Sequence, residues 1–233
     1  MNTWIPKYQP KEGEYLSLEH FKEMDYFAVE NYGLPIELMM ENAGLHLARL
    51  VASISPIDHK ILIGVGNGNN GGGGLVAARR LQAWGYTVYL DLPMAINKPL
   101  PLKQLDRAIK FGVKVGLPSQ IHHWVDSYLG FSQRRPLPEK ILKAIEKANK
   151  TKAIKTSLDL PVGITKELDH PYFKAHHVIS LAAPKQILQS LAHTTKIYIA
   201  DLGIPKEIYQ QFHTVFPPYH EAQLFELTRS SLE

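Results

Sequence analysis

The distribution of hydrophobic and polar positions predicts an alternation of strands and helices along most of the chain. Several segments show helical periodicity, at Gly72–Trp84, Leu100–Phe111 and Pro138–Lys150. Six short segments rich in β-branched and aromatic residues are predicted as strands, namely Lys60–Val65, Tyr86–Leu92, Ile121–Ser127, Ala153–Leu160, His176–Ala182 and Lys196–Leu202. Alternating strands and helices favour a mainly parallel sheet with helices on both faces, which is an α/β fold.

Two further helices are predicted before the first of these strands, at Leu16–Asn31 and Leu34–Ile54. Ser17 is a suitable N-cap for the first helix, and Glu19 adds favourable negative charge to its first turn. No internal repeat or low-complexity linker interrupts the chain. We therefore predict a single domain that spans residues 1–233.

Composition and charge narrow the class of protein. The chain is 45% hydrophobic and 21% charged, which is enough apolar material for a buried core. A net charge of +4 permits anionic ligands without arguing for nucleic acid, so a nucleic-acid partner is not expected. The absence of cysteine excludes disulfides and thiolate metal sites. No apolar run approaches a membrane span and no signal pattern is present, so we expect a cytoplasmic protein without membrane attachment.

A glycine-rich segment follows the first predicted strand and reads GVGNGNNGGGGLVAARRL, from Gly64 to Leu81. Gly66, Gly68 and Gly71 satisfy G-x-G-x-x-G, and Asp91 follows about 20 residues later. Such a loop lets backbone N–H groups approach an anion, and a helix N-terminus adds positive charge. The segment therefore favours a dinucleotide or phosphate ligand. The alternative is that the glycines only let the helix pack closely on the strand.

Acidic residues stand at the ends of two predicted strands, at Asp126 and Asp159. Ligands of open α/β sheets bind outside the carboxyl ends of the strands, so both carboxylates are expected at a cleft. Asp159 is a candidate general acid or base, with turn capping as the alternative. Arg134 and Arg135 follow Asp126 and suit phosphate binding, although a solvated loop is an equal alternative. Lys185 is expected either near this cleft or on the surface.

Six motifs occurring in one order carry a resemblance to a known family. From roughly Leu16 to Tyr209 the chain resembles the NAD(P)H-hydrate epimerase family, which has the YjeF N-terminal-domain fold. The motifs are MENAG (Met40–Gly44), GNGNNGG (Gly66–Gly72) with GLVAARRL (Gly74–Leu81), VDSYLGFS (Val125–Ser132), LDLPVG (Leu158–Gly163), APK (Ala183–Lys185) and ADLGIP (Ala200–Pro205).

The resemblance implies a Rossmann-like, three-layer α/β/α fold with two extra N-terminal helices. It implies an enzyme that interconverts the R and S epimers of hydrated NADH and NADPH, called NADHX and NADPHX. These nucleotides are substrates rather than cofactors, and a partner dehydratase repairs them. The resemblance also implies self-association, so a homodimer is expected. A potassium ion is the implied cofactor.

The resemblance also assigns roles to individual positions. It places the catalytic carboxylate at Asp159 and aligns a catalytic-site lysine of the family with Arg134. It places the potassium ligands at Asn70, Asp126 and the position of Val162. The positions implied to contact the hydrated nucleotide are Asn69, Asn70, Gly71, Gly72, Gly73, Gly130, Phe131, Ser132, Gln133, Arg134, Arg135, Pro136 and Asp159.

A carboxylate suits the chemistry of this reaction. The ring nitrogen of the hydrated nicotinamide can expel the hydroxyl from the neighbouring carbon and leave an iminium-like cation. We expect Asp159 to protonate the departing hydroxyl. As a carboxylate it then stabilises the cation and deprotonates the water that arrives on the other face.

The chain departs from the family pattern at three positions of the expected cleft. Gly73 stands where the family has an acid, and Val162 replaces a serine that supplies a potassium-ligating oxygen. Arg134 replaces the lysine, and arginine does not readily give up a proton. These changes favour an alternative in which a catalytically degenerate member serves as a nucleotide-binding or protein-interaction module.

A third interpretation is an ordinary NAD-dependent dehydrogenase. Gly66, Gly68, Gly71 and Asp91 would serve such an enzyme equally well. The two predicted helices before the first strand argue against it, as does the lack of an obvious second substrate domain.

Overall fold

A mainly parallel sheet of nine strands forms the centre of the part of the chain that the computed structural model describes, residues 5–11, 13–191 and 193–228. The strand order is β1-β9-β8-β7-β6-β5-β2-β3-β4, and every neighbouring pair is parallel except β8 and β9. The strands are β1 (Lys7–Tyr8), β2 (Lys60–Val65), β3 (Thr87–Asp91), β4 (Lys114–Val115), β5 (His123–Ser127), β6 (Ile154–Leu158), β7 (His177–Leu181), β8 (Lys196–Ala200) and β9 (Leu224–Leu227).

Helices cover both faces of the sheet and give three layers. One apolar cluster joins one sheet face to α2, α3 and α4, and a second joins the other face to α5 and a short 3₁₀ helix. A third cluster packs α1 and α6 near β8 and β9. The helices are α1 (Leu18–Tyr32), α2 (Ile36–Ile54), α3 (Asn69–Ala83), α4 (Pro99–Lys110), α5 (Glu139–Lys150) and α6 (Lys206–Gln211), with the 3₁₀ helix at Gln186–Leu191. In the described ranges, no helix is long and apolar enough to cross a membrane.

The structure confirms the predicted α/β fold and its mainly parallel sheet. Each of the six predicted strands contains one observed strand, and both predicted N-terminal helices are present. Ser17 caps α1, because its hydroxyl accepts the His20 N–H at 3.1 Å. The prediction missed α6 and the strands β1, β4 and β9. β9 brings the C-terminal apolar residues onto the body of the chain, where Phe225 is buried.

Glycines in α3 allow close packing, which corrects the interpretation that most of them were cleared for a ligand. A Cβ at Gly71 would lie 1.9 Å from the Gly66 carbonyl oxygen, and one at Gly74 would lie 1.9 Å from the Ser127 hydroxyl. A Cβ at Gly72 would meet the Met40 side chain at 2.5 Å. The close contact of α3 with α2 and the sheet therefore requires these glycines. The helix also begins at Asn69, three residues earlier than predicted.

The strand order places a topological switch point beside β2. The chain passes from β2 to β3 on one side and returns to β5 on the other side. At such a point the loops that follow neighbouring strands diverge and leave a crevice at their carboxyl ends. The loops after β2, β5 and β6 all open onto this crevice, so the fold itself places the glycine-rich segment near Asp126 and Asp159.

A fully buried histidine connects the opposite, amino-terminal edge of the sheet to α2. His123 Nδ1 lies 2.7 Å from the Ser55 hydroxyl, and its Nε2 lies 2.8 Å from the Thr156 hydroxyl. Burial lowers the pKa of His123 to about 3, so the ring is neutral at neutral pH. Unfolding lets the His123 ring take up a proton, so the free energy of unfolding depends on pH.

We predict that His123 stabilises the fold less as the pH falls. Its pKa in the folded chain is below the unfolded value near 6.5, so its contribution is present above pH 6.5 and is lost below it. The difference in unfolding free energy between wild type and His123→Asn should shrink by up to about 1.4 kcal/mol per pH unit between pH 6.5 and 4. Urea denaturation at several pH values measures this difference.

The exposed His20 on α1 supplies the matched control, His20→Gln, whose stability should follow that of the wild type across the same range. A difference between wild type and His123→Asn that stays constant with pH would contradict the linkage.

Candidate active site

A half-open cavity of about 220 Å³ lies in the crevice at the carboxyl ends of β2, β5 and β6. Helices α1 and α2 form its apolar wall, with side chains such as Phe21, Met39 and Met40. The loops after the strands supply its polar wall, which includes Asn69, Asn70 and Asp159. A pocket of apolar lining with a few convergent polar groups is the usual form of a small-molecule site.

The dominant electrostatic feature of this cavity is a buried ion pair between Asp159 and Lys185. Lys185 Nζ lies 2.9 Å from Asp159 Oδ1. Asp159 is 1% exposed and Lys185 is 0% exposed. Removing one member of such a pair leaves an uncompensated buried charge, which is strongly destabilising. Lys185 is buried directly behind Asp159 and does not itself line the cavity, so the alternative of a surface position was wrong.

The backbone aims the Asp159 carboxylate through an unusual conformation. Asp159 directly follows β6 and has a φ of 66°, in the left-handed region that only glycine adopts freely. Its N–H donates to the Ile179 carbonyl at 2.8 Å, and its Oδ2 accepts the Phe131 N–H at 2.8 Å. Strained backbone that neighbouring bonds hold in place is typical of functional positions.

Three acceptors and an aromatic ring surround the Lys185 ammonium. Besides Asp159, Nζ donates to the Leu181 carbonyl at 2.9 Å and to the Ser180 hydroxyl at 3.1 Å. The Phe21 ring centroid lies 3.7 Å from Nζ, within cation–π distance. Burial lowers the pKa of Lys185, and the nearby Asp159 carboxylate opposes that shift. Ser180 and Leu181 therefore accept hydrogen bonds from the ammonium, and Asp159 supplies the opposite charge.

The start of α1 fixes the segment that carries Lys185. The Leu16 N–H donates to the Pro184 carbonyl at 2.9 Å, and the Gln186 N–H donates back to the Leu16 carbonyl at 2.9 Å. The first N-terminal helix is thereby attached to the lysine segment, and its Phe21 covers the ammonium. Sequence patterns gave no signal for this contact, because it joins distant parts of the chain.

A second acid, Asp25 on α1, lines the same cavity and was missed by the sequence analysis. Burial and the nearby Asp159 charge together raise the pKa of Asp25 to about 6, against the opposing effect of Lys185. The apolar stripe of α1 consists of Phe21, Met24 and Ala28, and Asp25 lies beside it, directly after Met24. A charged residue beside such a stripe was the only signal that the sequence offered.

The N-terminus of α3 opens onto the cavity. Its N-cap, Gly68, provides no side-chain cap, so the N–H groups of the first turn are available to an anion. Asn70 Nδ2 donates to the Leu158 carbonyl at 3.3 Å, while its buried Oδ1 has no hydrogen-bond partner among the described residues. Lys98 also lines the cavity and was not predicted. Its backbone N–H donates to Asn67 Oδ1 at 3.0 Å, which joins its loop to the glycine-rich segment.

Only some of the glycine-rich residues that were predicted to contact the nucleotide line the cavity. Asn69, Asn70 and Gly73 line it together with Gly68. Gly71 and Gly72 are buried in the packing of α3 and do not line it.

In the loop after β5, too, only some of the predicted contact residues line the cavity. The part that lines the cavity is Gly130, Phe131, Ser132 and Gln133. Gln133 Oε1 accepts the Gly163 N–H at 2.7 Å, and Arg135 donates to the Gly163 carbonyl, so the loop is joined to the turn after Asp159. Arg134 and Pro136 are exposed and lie outside the cavity lining. The cation that contacts Asp159 is therefore Lys185 and not Arg134.

The three expected potassium ligands do not form a complete potassium site. The buried Asp126 carboxylate already accepts the Tyr128 and Val162 N–H groups and the Ser157 hydroxyl, and burial raises the pKa of Asp126 to about 7. The Val162 side chain is a buried member of the second apolar cluster and offers no oxygen. Only Asn70 presents a buried oxygen that no described group uses.

Comparisons with known proteins show which family the chain belongs to. Residues 36–187 match the family model described as "YjeF-related protein N-terminus". The chain is 32% identical to an NAD(P)H-hydrate epimerase of Rhodopirellula baltica over 84% of this chain and 87% of that protein. It is 30% identical to an NAD(P)H-hydrate epimerase of Anopheles gambiae over 91% of this chain and 98% of that protein.

A solved structure supports the fold. The crystal structure of the yeast protein YNL200c superposes with a TM-score of 0.83 at 24% identity, over 91% of this chain and 99% of that chain. At this level of identity, the similarity concerns the fold alone.

We predict that Asp159 and Lys185 are energetically coupled. Lys185→Met leaves a buried carboxylate without its cation, which should cost about 3–5 kcal/mol of unfolding free energy. The double variant Lys185→Met/Asp159→Asn should be less destabilised than the sum of the two single variants, by more than about 1 kcal/mol. Urea denaturation of the four proteins measures the coupling.

The matched control is the pair of Lys143 and Glu139 on α5, whose charged atoms are 2.6 Å apart but whose side chains are 72% and 78% exposed. Its double variant should be nearly additive. Additive effects at Asp159 and Lys185 would show that the two side chains do not stabilise each other.

Proposed function

Because this chain belongs to the YjeF N-terminal family, we propose that it is an isomerase that interconverts the R and S epimers of hydrated NADH and NADPH. The observation that carries the proposal is the Asp159–Lys185 ion pair at the cavity, beside the open N-terminus of α3. The match to curated NAD(P)H-hydrate epimerases over most of the chain supports it.

The charges of the cavity suggest how a dinucleotide would lie in it. The N-terminus of α3 and the Lys98 side chain provide positive charge at one side, which suits the phosphates. The hydrated nicotinamide would then lie near Asp159, against the apolar wall formed by α1 and α2. Asn70 Oδ1, which is buried and has no hydrogen-bond partner among the described residues, can accept a hydrogen bond from a hydroxyl or amide of the substrate.

Epimerisation requires that a carbon–oxygen bond breaks and forms again on the other face. An acid of the cavity protonates the hydroxyl, the ring nitrogen expels it as water, and the resulting cation is planar at the hydrated carbon. The Asp159 carboxylate stabilises this cation and takes a proton from the water that adds to it. The addition returns the electron pair to nitrogen, so no redox step is involved.

Lys185 positions the catalytic carboxylate. The ammonium contacts Asp159 Oδ1, while the Phe131 N–H contacts Oδ2, so both oxygens are held in one orientation. Preorganised groups of this kind stabilise charge in a reaction without having to rearrange. The proposed role of Lys185 replaces the one that the resemblance gave to Arg134, which is exposed outside the cavity.

The structure gives little support to a dehydrogenase. Asp91, which would bind a ribose in that interpretation, accepts the Tyr128 hydroxyl at 2.5 Å and does not line the cavity. A catalytically degenerate binding module differs from an enzyme in activity rather than in fold, so an activity measurement separates the two.

A potassium ion has no part in the proposed mechanism, because the expected ligand set lacks an oxygen at Val162 and the Asp126 carboxylate already accepts three hydrogen bonds. The homodimer stays a prediction from the resemblance.

We predict that Asp159→Asn, although less stable, abolishes most of the epimerisation while its folded fraction still binds the nucleotide. The amide cannot take a proton from water, and acid–base groups typically contribute about 10²–10⁴ in rate. Purified R or S NADPHX is incubated with the protein, and the approach to the equilibrium ratio is followed by chromatography against the uncatalysed rate.

The matched control is Asp58→Asn, which removes an exposed carboxylate at the other edge of the sheet and should leave turnover unchanged. A wild-type protein that binds the nucleotide but leaves the R/S ratio at its uncatalysed value would favour the binding module. Full turnover in Asp159→Asn would remove this residue from the mechanism.

A further inference from the structure

We propose that Asp25 is a second catalytic residue, the acid that protonates the departing hydroxyl while Asp159 acts as the base. The inference rests on the proposed function. Two proton transfers were first expected of Asp159 alone, and the inference assigns one of them to Asp25. The geometry behind it is the convergence of two acids from different elements, Asp25 on α1 and Asp159 after β6, on one cavity.

Asp159 is poorly suited to donate the proton. It forms an ion pair with a fully buried ammonium, and its other oxygen accepts the Phe131 N–H. Both oxygens already face hydrogen-bond donors, so the first proton of the reaction comes more readily from a carboxyl group without such contacts. A reaction that begins with the loss of hydroxyl as water therefore needs a proton from another group.

Among the described residues that line the cavity, Asp25 is the acid suited to this role. Its pKa is raised to about 6, first by burial and then by the Asp159 charge, while the Lys185 charge lowers it. The Tyr128 hydroxyl also lines the cavity but already donates to Asp91. A pair of carboxyl groups whose surroundings favour different protonation states commonly marks the acid and the base of a reaction.

The division balances protons over the reaction. The Asp25 carboxyl gives its proton to the hydroxyl, the carbon–oxygen bond breaks, and water leaves while the nitrogen lone pair forms the carbon–nitrogen double bond. A second water then adds to the carbon, its proton passes to the Asp159 carboxylate, and the electron pair returns to nitrogen. In the opposite direction the roles exchange, with Asp159 as donor and Asp25 as acceptor. One proton shared between the two groups therefore serves both epimers.

The Phe21 side chain explains why this acid is on α1. Phe21 packs on the Lys185 ammonium at 3.7 Å and edge-to-face on Phe131 at 5.1 Å between ring centroids. Asp25 is one helical turn further along the same face, so the packing of Phe21 directs Asp25 towards the cavity. The first N-terminal helix is thus part of the catalytic centre as well as part of the fold.

The test uses the complete chain and compares wild type, Asp25→Asn and Asp25→Glu in the epimer-exchange assay from pH 5 to 8.5. Asp25→Asn should lower kcat by about 10²–10⁴ with little change in KM, and Asp25→Glu should recover part of the rate. The wild-type rate above background should fall as the pH rises through 6, because the acid loses its proton. This limb should be absent in the residual activity of Asp25→Asn. The control Glu23→Gln removes an exposed carboxylate from the same helix and should behave as wild type.

Each possible result for the Asp25 variants either supports or overturns the inference. Wild-type kcat in Asp25→Asn overturns the inference, as does a reduced kcat that keeps the wild-type pH limb, because Asp25 would then only position other groups. Should Asp25→Asn fail to fold, Asp25→Glu decides, since an unmoved pH limb in that variant also overturns the inference. Inactive wild type is a different result, because it contradicts the proposed function itself. Active wild type with inactive Asp159→Asn and fully active Asp25→Asn contradicts the role of Asp25 alone.

Discussion

The buried ammonium of Lys185 is the constraint on which the rest of the site depends. An ammonium without access to water needs an acceptor for each proton and an opposite charge nearby. Asp159, Ser180 and Leu181 meet this need, and they come from the carboxyl ends of β6 and β7. The two strands must therefore be in register for the charge to be tolerated. Folding and the placement of the carboxylate that we propose as catalytic thus depend on the same contacts.

This constraint also explains why the cavity includes α1, which lies outside the strands and loops around the glycine-rich segment. The start of α1 is hydrogen-bonded to the lysine segment, and Phe21 covers the ammonium. Helix α1 thereby closes the apolar side of the cavity, while the N-terminus of α3 provides its positive side. The glycines of α3 let that helix approach α2 and the sheet closely enough to form this wall. The same segment therefore packs closely on its neighbours and forms part of the cavity wall.

Sequence periodicity was sufficient to predict six strands of the sheet. These strands, β2, β3 and β5–β8, are long enough to show an apolar pattern. It was insufficient for β1 and β4, which have two residues each, and for α6 and β9 near the C-terminus. The position directly after a strand identified Asp159 in advance, since parallel strands place that position at the crevice. Lys185 and Asp25 were harder, because their burial arises from contacts between distant segments that no local pattern records. The same limit applies to Arg134, whose charge suggested a site although its loop turns it to solvent.

A crystal structure with bound NADP⁺ tests the central claim most directly, since its planar, positively charged ring resembles the cation proposed for the reaction. The account predicts the phosphates at the N-terminus of α3 and the nicotinamide ring in the cavity. It also predicts a ring carbon next to nitrogen about 3.5 Å from an Asp159 oxygen, the distance of reacting atoms in productive complexes. A ring bound outside the cavity, or one separated from Asp159 by the protein's own side chains, would contradict the account.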